Sequence, residues 1–317
     1  MIKNFFKNIF VKYISLVITI LLFVAFSFAS SSFATVKNMN VILVGRVTVG
    51  FFALASLIPL IAGEFDISLG YMIGACIMVG GKLSTLGLSD WSVLFFTLLT
   101  GILLGVFNGF LTVTLNIPST ISTLGSGMIM YSISLGLCGG KSISNVISKD
   151  IVKLFRANFL GFNITIWILL LVAVLVFYLL ELTPFGKQIY AVGLSSRVSY
   201  LAGIRIKLIR MMSFILAGAI IGIGSALYLA KSGNAYPDTG PTYLMPGLAT
   251  VFLSITTYKI GSYNVPGTVI SIFMLGILFN GVNLLGAPFW LESVVNGLIL
   301  MAVVLMNRKD SRQALQE

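Results

Sequence analysis

The chain has 317 residues, of which 58% are hydrophobic and 9% charged, and its 20 lysines and arginines outnumber 9 acidic residues for a net charge of +11. Because water-soluble chains carry roughly 25% charged residues, this composition excludes a soluble globular protein and indicates a chain whose solvent is lipid. The basic excess then fits lysines and arginines retained beside lipid headgroups on the cytoplasmic side, and not nucleic-acid binding.

Ten apolar segments without strand-like alternation predict an all-α integral membrane protein of ten transmembrane helices in a single domain, residues 1–317. The segments cover residues 13–34, 42–62, 66–86, 92–114, 119–137, 164–181, 211–231, 244–258, 265–285 and 289–306. The third is rich in glycine and the eighth is short, so eight or nine full spans also fit. The first exceeds the ~7–15 residues of a signal-peptide core, so we interpret it as a retained span.

Basic clusters orient the ten spans. The clusters at residues 3–12, 187–210 and 308–312 all fall on the cytoplasmic side if the chain crosses ten times. Both termini are therefore predicted to be cytoplasmic. A fourth cluster, at residues 141–156, would lie outside and fits less well.

A short repeat and several glycine pairs suggest how the helices pack. The stretch Gly105–Gly109 recurs as Gly276–Gly281, and a proline follows each, Pro118 and Pro288. This recurrence predicts two inverted, pseudo-repeated halves, as in many transporters. Glycines spaced four apart predict close helix contacts. They are Gly70/Gly74, Gly101/Gly105/Gly109 and Gly218/Gly222.

No catalytic motif is found. The stretch Gly139–Ser142 resembles the end of a P-loop, but Leu135 stands where that motif needs glycine. The chain has no histidine and only two cysteines, so no transition-metal site is expected. We therefore predict no catalytic residue, metal or cofactor in this chain, and any energy it uses is released by another subunit.

Two acids interrupt the boundary of the second and third segments. Glu64 and Asp66 lie in an otherwise apolar stretch, where an acid is costly unless it faces water or a partner. One interpretation is a broken helix lining a permeation path, with Asp66 and Ser68 accepting hydrogen bonds from a polar solute. The other is that Asp66 caps the next helix and Glu64 reaches the cytoplasmic interface.

Other polar residues inside the apolar segments are candidates for the same path. Ser119 and Thr120 follow Pro118 and form a second polar patch with neighbouring hydroxyls. Asn108 and Asn280 are either solute contacts or interhelical hydrogen-bond partners. The predicted path is therefore Asp66, Ser68, Asn108, Ser119, Thr120 and Asn280.

The longest polar stretch on the predicted cytoplasmic side runs from residue 183 to 210. Within it, residues 195–204 are typical of a short amphipathic helix with Ser195 as N-cap and Gly203 as its stop. A helix this short persists outside the bilayer only if it docks onto something. A linker that binds lipid headgroups is the alternative.

The same loop resembles the coupling region of ribose-type ABC importer permeases, a branch that includes monosaccharide and autoinducer-2 importers. It carries Thr183-Pro184-Phe185-Gly186-Lys187, Tyr190-Ala191-Val192-Gly193 and Leu201-Ala202-Gly203-Ile204. Gly63–Gly70 is similar to the family's Gly-Gly-Ile-Asp-Leu-Ser-Val-Gly segment, and Asn280–Gly286 matches its block near the C-terminus. Asn108-Gly109, Pro118 and Thr123-Leu124-Gly125 resemble the block between them.

This resemblance implies a bacterial cytoplasmic-membrane importer. It implies a second permease copy or paralogue, separate ATPase subunits that bind ATP and Mg²⁺, and an extracytoplasmic solute-binding protein. The short helix would dock onto the ATPase and switch the pore between outward and inward access. The residues that the resemblance assigns to this coupling are Ser195, Arg197, Tyr200, Leu201 and Gly203.

One departure from the family pattern bears on the solute. Ribose-type members carry an acid and a glycine-rich stretch near the start of the eighth span, where this chain reads Tyr243-Leu244-Met245-Pro246-Gly247. We therefore expect a sugar or sugar-like solute, with a nucleoside or autoinducer 2 as alternatives. An ion-driven secondary transporter needs a titratable group deep in the membrane, for which Glu64, Asp66 and Glu292 are the candidates.

Overall fold

The computed structural model describes residues 14–288 and 290–313 and is built almost entirely of helices. The helices are α1 (Ile14–Ala29), α2 (Val36–Ile61), α3 (Ser68–Thr85), α4 (Asp90–Gly109), α5 (Ser119–Cys138), α6 (Lys149–Arg156), α7 (Ile164–Phe177), α8 (Pro184–Leu194), α9 (Ser196–Leu201), α10 (Ile206–Ser232), α11 (Thr239–Leu253), α12 (Val265–Leu284) and α13 (Leu291–Gln313). Strands β1 (Asn158–Phe159) and β2 (Phe162–Asn163) form a small antiparallel hairpin. The all-α prediction is confirmed.

Each of the ten predicted segments contains a helix. Among the described residues, six stretches are long and apolar enough to cross a membrane: Val36–Ile61, Asp90–Thr114, Ser119–Cys138, Ile164–Leu182, Ile206–Ser232 and Val265–Leu284. Two shorter apolar helices, Ile14–Ala29 and Leu291–Ala302, are added to these. The count of ten crossings and the inverted repeat stay predictions. The basic residues at positions 3–12 lie outside the described residues.

The eighth segment differs most from its predicted position. Its helix, α11, begins at Thr239, before the apolar run that starts at residue 244. The first turn of α11 is polar and glycine-containing, so hydropathy alone does not detect it. This turn packs on α3, because a Cβ at Gly70 would lie 3.5 Å from the carbonyl oxygen of Gly240.

The chain divides into two compact units, one of residues Leu54–Leu244 and the other of Met1–Ala53 with Met245–Glu317. In the first, α4 and α10 touch through glycine. A Cβ at Gly101 would lie 2.5 Å from the carbonyl oxygen of Gly218 and 2.6 Å from the Cα of Gly222. Backbones this close admit only hydrogen at these positions, so the predicted glycine contacts are confirmed.

The first unit has two ends that differ in what covers them. At one end, the segment 139–163 folds over the helix ends: Ser84 donates to the carbonyl of Val146, and Arg156 donates to that of Lys231. At the other end lie the start of α3, the start of α10, and α8 with α9. The basic clusters 141–156 and 187–210 therefore lie at opposite ends of this unit.

The second unit contains α1, the first part of α2, α12 and α13. Its apolar core includes Phe33, Ile42 and Ile277. Arg46 pairs with Glu292 at 2.9 Å. Arg46 therefore neutralises Glu292, one of the acids considered as an ion site.

Candidate functional site

The helix break between α2 and α3 is held open by hydroxyls of α5. After α2 ends at Ile61, the amides of Ala62, Gly63 and Glu64 still donate to carbonyls of α2, and non-helical backbone continues until α3 begins at Ser68. The amide of Phe65 donates to Ser119 Oγ at 3.2 Å, and that of Ile67 donates to Thr123 Oγ1 at 3.1 Å. Backbone amides that lie outside a helix and away from water need such partners, so hydroxyls of the polar patch after Pro118 satisfy the amides of this break.

A buried chain of hydrogen bonds joins α3, α4 and α5. Asp66 Oδ1 accepts from the amide of Ser68 at 2.9 Å and from its hydroxyl at 2.5 Å. Asn108 Nδ2 donates to Ser68 Oγ, and Ser126 Oγ donates to Asn108 Oδ1, both at 2.6 Å. All four side chains are at most 3% exposed. Asp66 thus caps α3, and Asn108 links helices, as one of the two interpretations of each expected.

The remaining predicted path residues are placed differently. Ser119 is half-buried at the break, whereas Thr120 is exposed. Asn280 belongs to the other unit and exchanges amide hydrogen bonds with Asn38, at 2.9 and 3.2 Å. Both asparagines of the short repeat are therefore interhelical partners. Direct contact of any of these residues with a solute stays a prediction.

Replacing Asp66 by asparagine separates a helix cap from a solute contact. Asparagine keeps the Oδ1 acceptor, so we expect Asp66→Asn to transport within about twofold of wild type, since asparagine and aspartate cap equally well. Alanine lacks the acceptor, so Asp66→Ala should lose about 0.5–2 kcal/mol of stability. Thermal unfolding and uptake rates in proteoliposomes measure both. A tenfold loss of uptake by a normally assembled Asp66→Asn variant would instead place Asp66 against the solute.

The predicted coupling helix is present and carries both of its predicted ends. Ser195 Oγ accepts from the amide of Val198 at 3.3 Å, which caps α9. The segment stops at Gly203, whose φ of +78° favours glycine. Arg197 is exposed, and the larger side chains Tyr200 and Leu201 are 73% and 78% exposed. The local sequence therefore presents a capped, apolar-faced helix outward at this end.

Arg210 connects this helix to the helix break. Its guanidinium forms an ion pair with Glu64 at 3.0 Å, and its Nη2 donates to Ser196 Oγ at 2.9 Å. Ser196 is the first residue of α9, and Glu64 lies in the break just before the Asp66 cap. The sequence did not predict this connection. The sequence feature that could have indicated it is Glu64, because the ribose-type segment has glycine at this position.

A cavity of about 590 Å³ lies between the break and the coupling segment. Glu64, Asn116, Tyr200, Arg205 and Arg210 are among its lining residues. Arg210 bridges α9 and the break across this space. Within the described residues, no group of three His, Cys, Asp or Glu side chains could hold a metal ion.

The helical bundle, with a helix break beside a capped and exposed short helix, defines the class of multi-pass helical membrane proteins. The chain belongs to the family described as branched-chain amino acid transport system / permease component, whose model matches residues 38–304.

Two curated relatives carry import functions. The autoinducer 2 import system permease protein LsrC of Salmonella typhi is 27% identical over 293 residues, 92% of this chain and 84% of the relative. The ribose import permease protein RbsC of Bacillus subtilis (strain 168) is 29% identical over 205 residues, 64% of each chain. A solved metal-chelate type ABC transporter in an inward-facing conformation shares the fold, with a TM-score of 0.52 and 16% identity over 94% of this chain and 99% of that one.

Proposed function

We propose that this chain is the permease subunit of an ATP-binding cassette importer that moves a sugar or sugar-like small solute into the cytoplasm by alternating access. The import functions printed for the ribose and autoinducer-2 relatives support this solute class. ATP and Mg²⁺ bind a separate ATPase subunit, and an extracytoplasmic binding protein delivers the solute. A second permease copy or paralogue completes the pore, and lipid surrounds it.

The observation that carries this proposal is the exposed face of α9 together with its connection to the membrane helices. A six-residue helix cannot persist alone in water, yet α9 is capped at Ser195 and turns its apolar face outward. Tyr200 and Leu201 then dock in a groove of the ATPase, and Arg197 supplies a charged contact at the rim. Gly203 sets the direction in which the chain returns to α10.

The predicted path residues take positioning roles in this proposal. Asp66, Ser68 and Asn108 are buried and hydrogen-bonded to one another or through Ser126, so they fix the start of α3. Ser119 holds the backbone of the break, and Asn280 holds α12. These residues shape the walls of the solute passage. We also propose that the chain crosses the membrane ten times, with both termini in the cytoplasm.

Two rival functions are less well supported. An ion-driven secondary transporter needs a titratable site deep in the membrane. Of the three candidate acids, Glu64 pairs with Arg210, Glu292 pairs with Arg46, and Asp66 accepts hydrogen bonds from Ser68. Import of a nucleoside or of autoinducer 2 keeps the same architecture and differs in the solute. The LsrC relatives favour autoinducer 2 as the leading alternative within the class.

Purification of the tagged chain in mild detergent, with mass spectrometry of the co-purifying proteins, tests the proposal. We expect a P-loop ATPase in the eluate, and a second, different permease in it would establish a heterodimer. A chain that is recovered alone and transports in proteoliposomes without ATP would contradict the proposal and favour the secondary transporter.

A further inference from the structure

Tyr71, Tyr131 and Asp238 form a polar aromatic cluster away from the helix break. The Tyr131 hydroxyl donates to Asp238 Oδ1 at 2.5 Å, and the ring centroids of Tyr71 and Tyr131 are 6.0 Å apart. Tyr71 and Tyr131 are half-exposed, and Asp238, which directly precedes α11, is exposed. All three residues belong to the unit Leu54–Leu244. None of them belongs to the predicted path.

The cluster lies alongside the middle of α3 and α5. Helix α5 has 20 residues, which is about 30 Å, the thickness of the hydrocarbon core. Tyr131 lies about 18 Å along it at 1.5 Å per residue. The segment that carries Asp238 is held at this depth, because a Cβ at Gly74 would lie 3.1 Å from the carbonyl oxygen of Pro237. An exposed carboxylate beside the middle of a helix long enough to span the membrane is costly against acyl chains, so it needs water or a polar partner.

The buried hydrogen-bond chain fixes one wall of the cluster. Tyr71 follows Ser68 by one turn of α3, and Ser68 is held by Asp66 and Asn108. The ring of Tyr71 packs directly on α5, because a Cβ at Gly127 would lie 2.6 Å from its Cδ2 atom. The buried hydrogen-bond chain that holds Ser68 therefore also holds the ring of Tyr71 in place.

We propose that Tyr71, Tyr131 and Asp238 form a solute-binding site at the middle of the permease for an uncharged polyhydroxylated small molecule. A carboxylate accepts hydrogen bonds from two hydroxyls, the Tyr131 hydroxyl accepts or donates one more, and an aromatic ring face packs on the C–H face of a small ring. The negative charge of Asp238 disfavours anionic solutes such as sugar phosphates. This proposal rests on the proposed function and adds the class of solute and the residues that touch it.

Thiol labelling tests whether the cluster faces water, whatever the solute is. In a background with Cys76→Ser and Cys138→Ser, we expect Tyr131→Cys to react with a membrane-impermeant methanethiosulfonate reagent in the purified complex in lipid nanodiscs. Ile133→Cys, two residues further on the same helix and 57% exposed, is the matched lipid-facing control and should stay unlabelled. Equal protection of both positions would place the cluster against lipid or another chain and overturn the proposal.

Uptake kinetics test whether the cluster binds the solute, with D-ribose and autoinducer 2 as separate probes. Asp238→Asn removes the charged acceptor, so the half-saturating concentration of the transported probe should rise about tenfold or more, as expected for one lost charge-assisted hydrogen bond. Tyr131→Phe keeps the ring and should show a smaller rise. Asp150→Asn, an exposed acid on α6, should match wild type. Wild-type kinetics for Asp238→Asn would overturn the site.

Failure of this site is distinguishable from failure of the proposed function. A complex without an ATPase, or one that transports neither probe, would contradict the proposed function. In that case the contrast between Tyr131→Cys and Ile133→Cys labelling still decides whether the membrane centre holds a water-accessible site.

Discussion

Reversing the charge of Arg210 is expected to abolish transport and solute-stimulated ATP hydrolysis, and reversing Glu64 as well is expected to restore a large part of both. Arg210→Glu places a second carboxylate beside Glu64, which is 8% exposed. Breaking a fully buried pair costs about 3–5 kcal/mol because one charge is left without compensation, and the cost here is smaller since the Arg210 side chain is 32% exposed. Arg210→Glu also removes the guanidinium that links Ser196 of α9 to the helix break.

The double variant Glu64→Arg with Arg210→Glu re-forms an ion pair across the same cavity. The glutamate at position 210 can still accept a hydrogen bond from the Ser196 hydroxyl, so the connection to α9 is preserved. Lys207→Glu is the matched control: Lys207 is exposed on α10 and its change alters the net charge equally. Uptake and ATPase rates of monodisperse complexes are the measurement. A well-folded Arg210→Glu variant with wild-type rates, or a double variant as inactive as the single one, would show that this pair carries no coupling.

Replacing Gly203 by proline is expected to uncouple the permease while leaving it in the membrane. Gly203 has φ of +78°, and its amide donates to the carbonyl of Tyr200 at 3.0 Å. Proline fixes φ near −65° and has no amide hydrogen, so both features are lost. Holding proline at this φ costs more than the roughly 1–3 kcal/mol that strains an ordinary residue in the left-handed region. The turn must therefore re-form, and this redirects α9.

The expected result is that Gly203→Pro inserts and co-purifies with its membrane partners while solute no longer stimulates ATP hydrolysis. Gly286→Pro is a matched control, because Gly286 also has positive φ after a helix end, donates to a nearby carbonyl, and has open space around it. It lies outside the coupling segment and should keep stimulation. Unchanged stimulation of the ATPase in Gly203→Pro would contradict the role assigned to α9.

The features that follow from neighbouring residues could be predicted from the sequence. Ser195 caps α9 and Gly203 ends it, because a cap and a left-handed turn depend on a few consecutive residues. The glycine spacing of α4 and α10 predicts close contact for the same kind of reason, since residues four apart share one face of a helix. The start of α11 was missed, because its polar first turn is stabilised by α3 and not by its own hydropathy.

The pairing of distant residues could not be predicted in this way. Asn108 was expected to bond across helices or touch solute, and only the packing of α3, α4 and α5 gives it Ser68 and Ser126 as partners. The sequence gives no reason to select Asp238, although the family pattern has an acid near the start of the same helix. Its meeting with Tyr131 depends on which helix faces adjoin, and the sequence spacing carries no information on that.

The sequence predicts a helical membrane permease with a capped helix at one end. Those properties follow from apolar length, charge distribution and local capping, each of which is set by nearby residues in lipid or water. The tertiary structure is needed to see that Arg210 joins α9 to the helix break and that Tyr131 meets Asp238 beside the middle of α5. These contacts join residues far apart in the chain, and in lipid they are selected by backbone fit and hydrogen bonding between helices, and not by hydrophobicity.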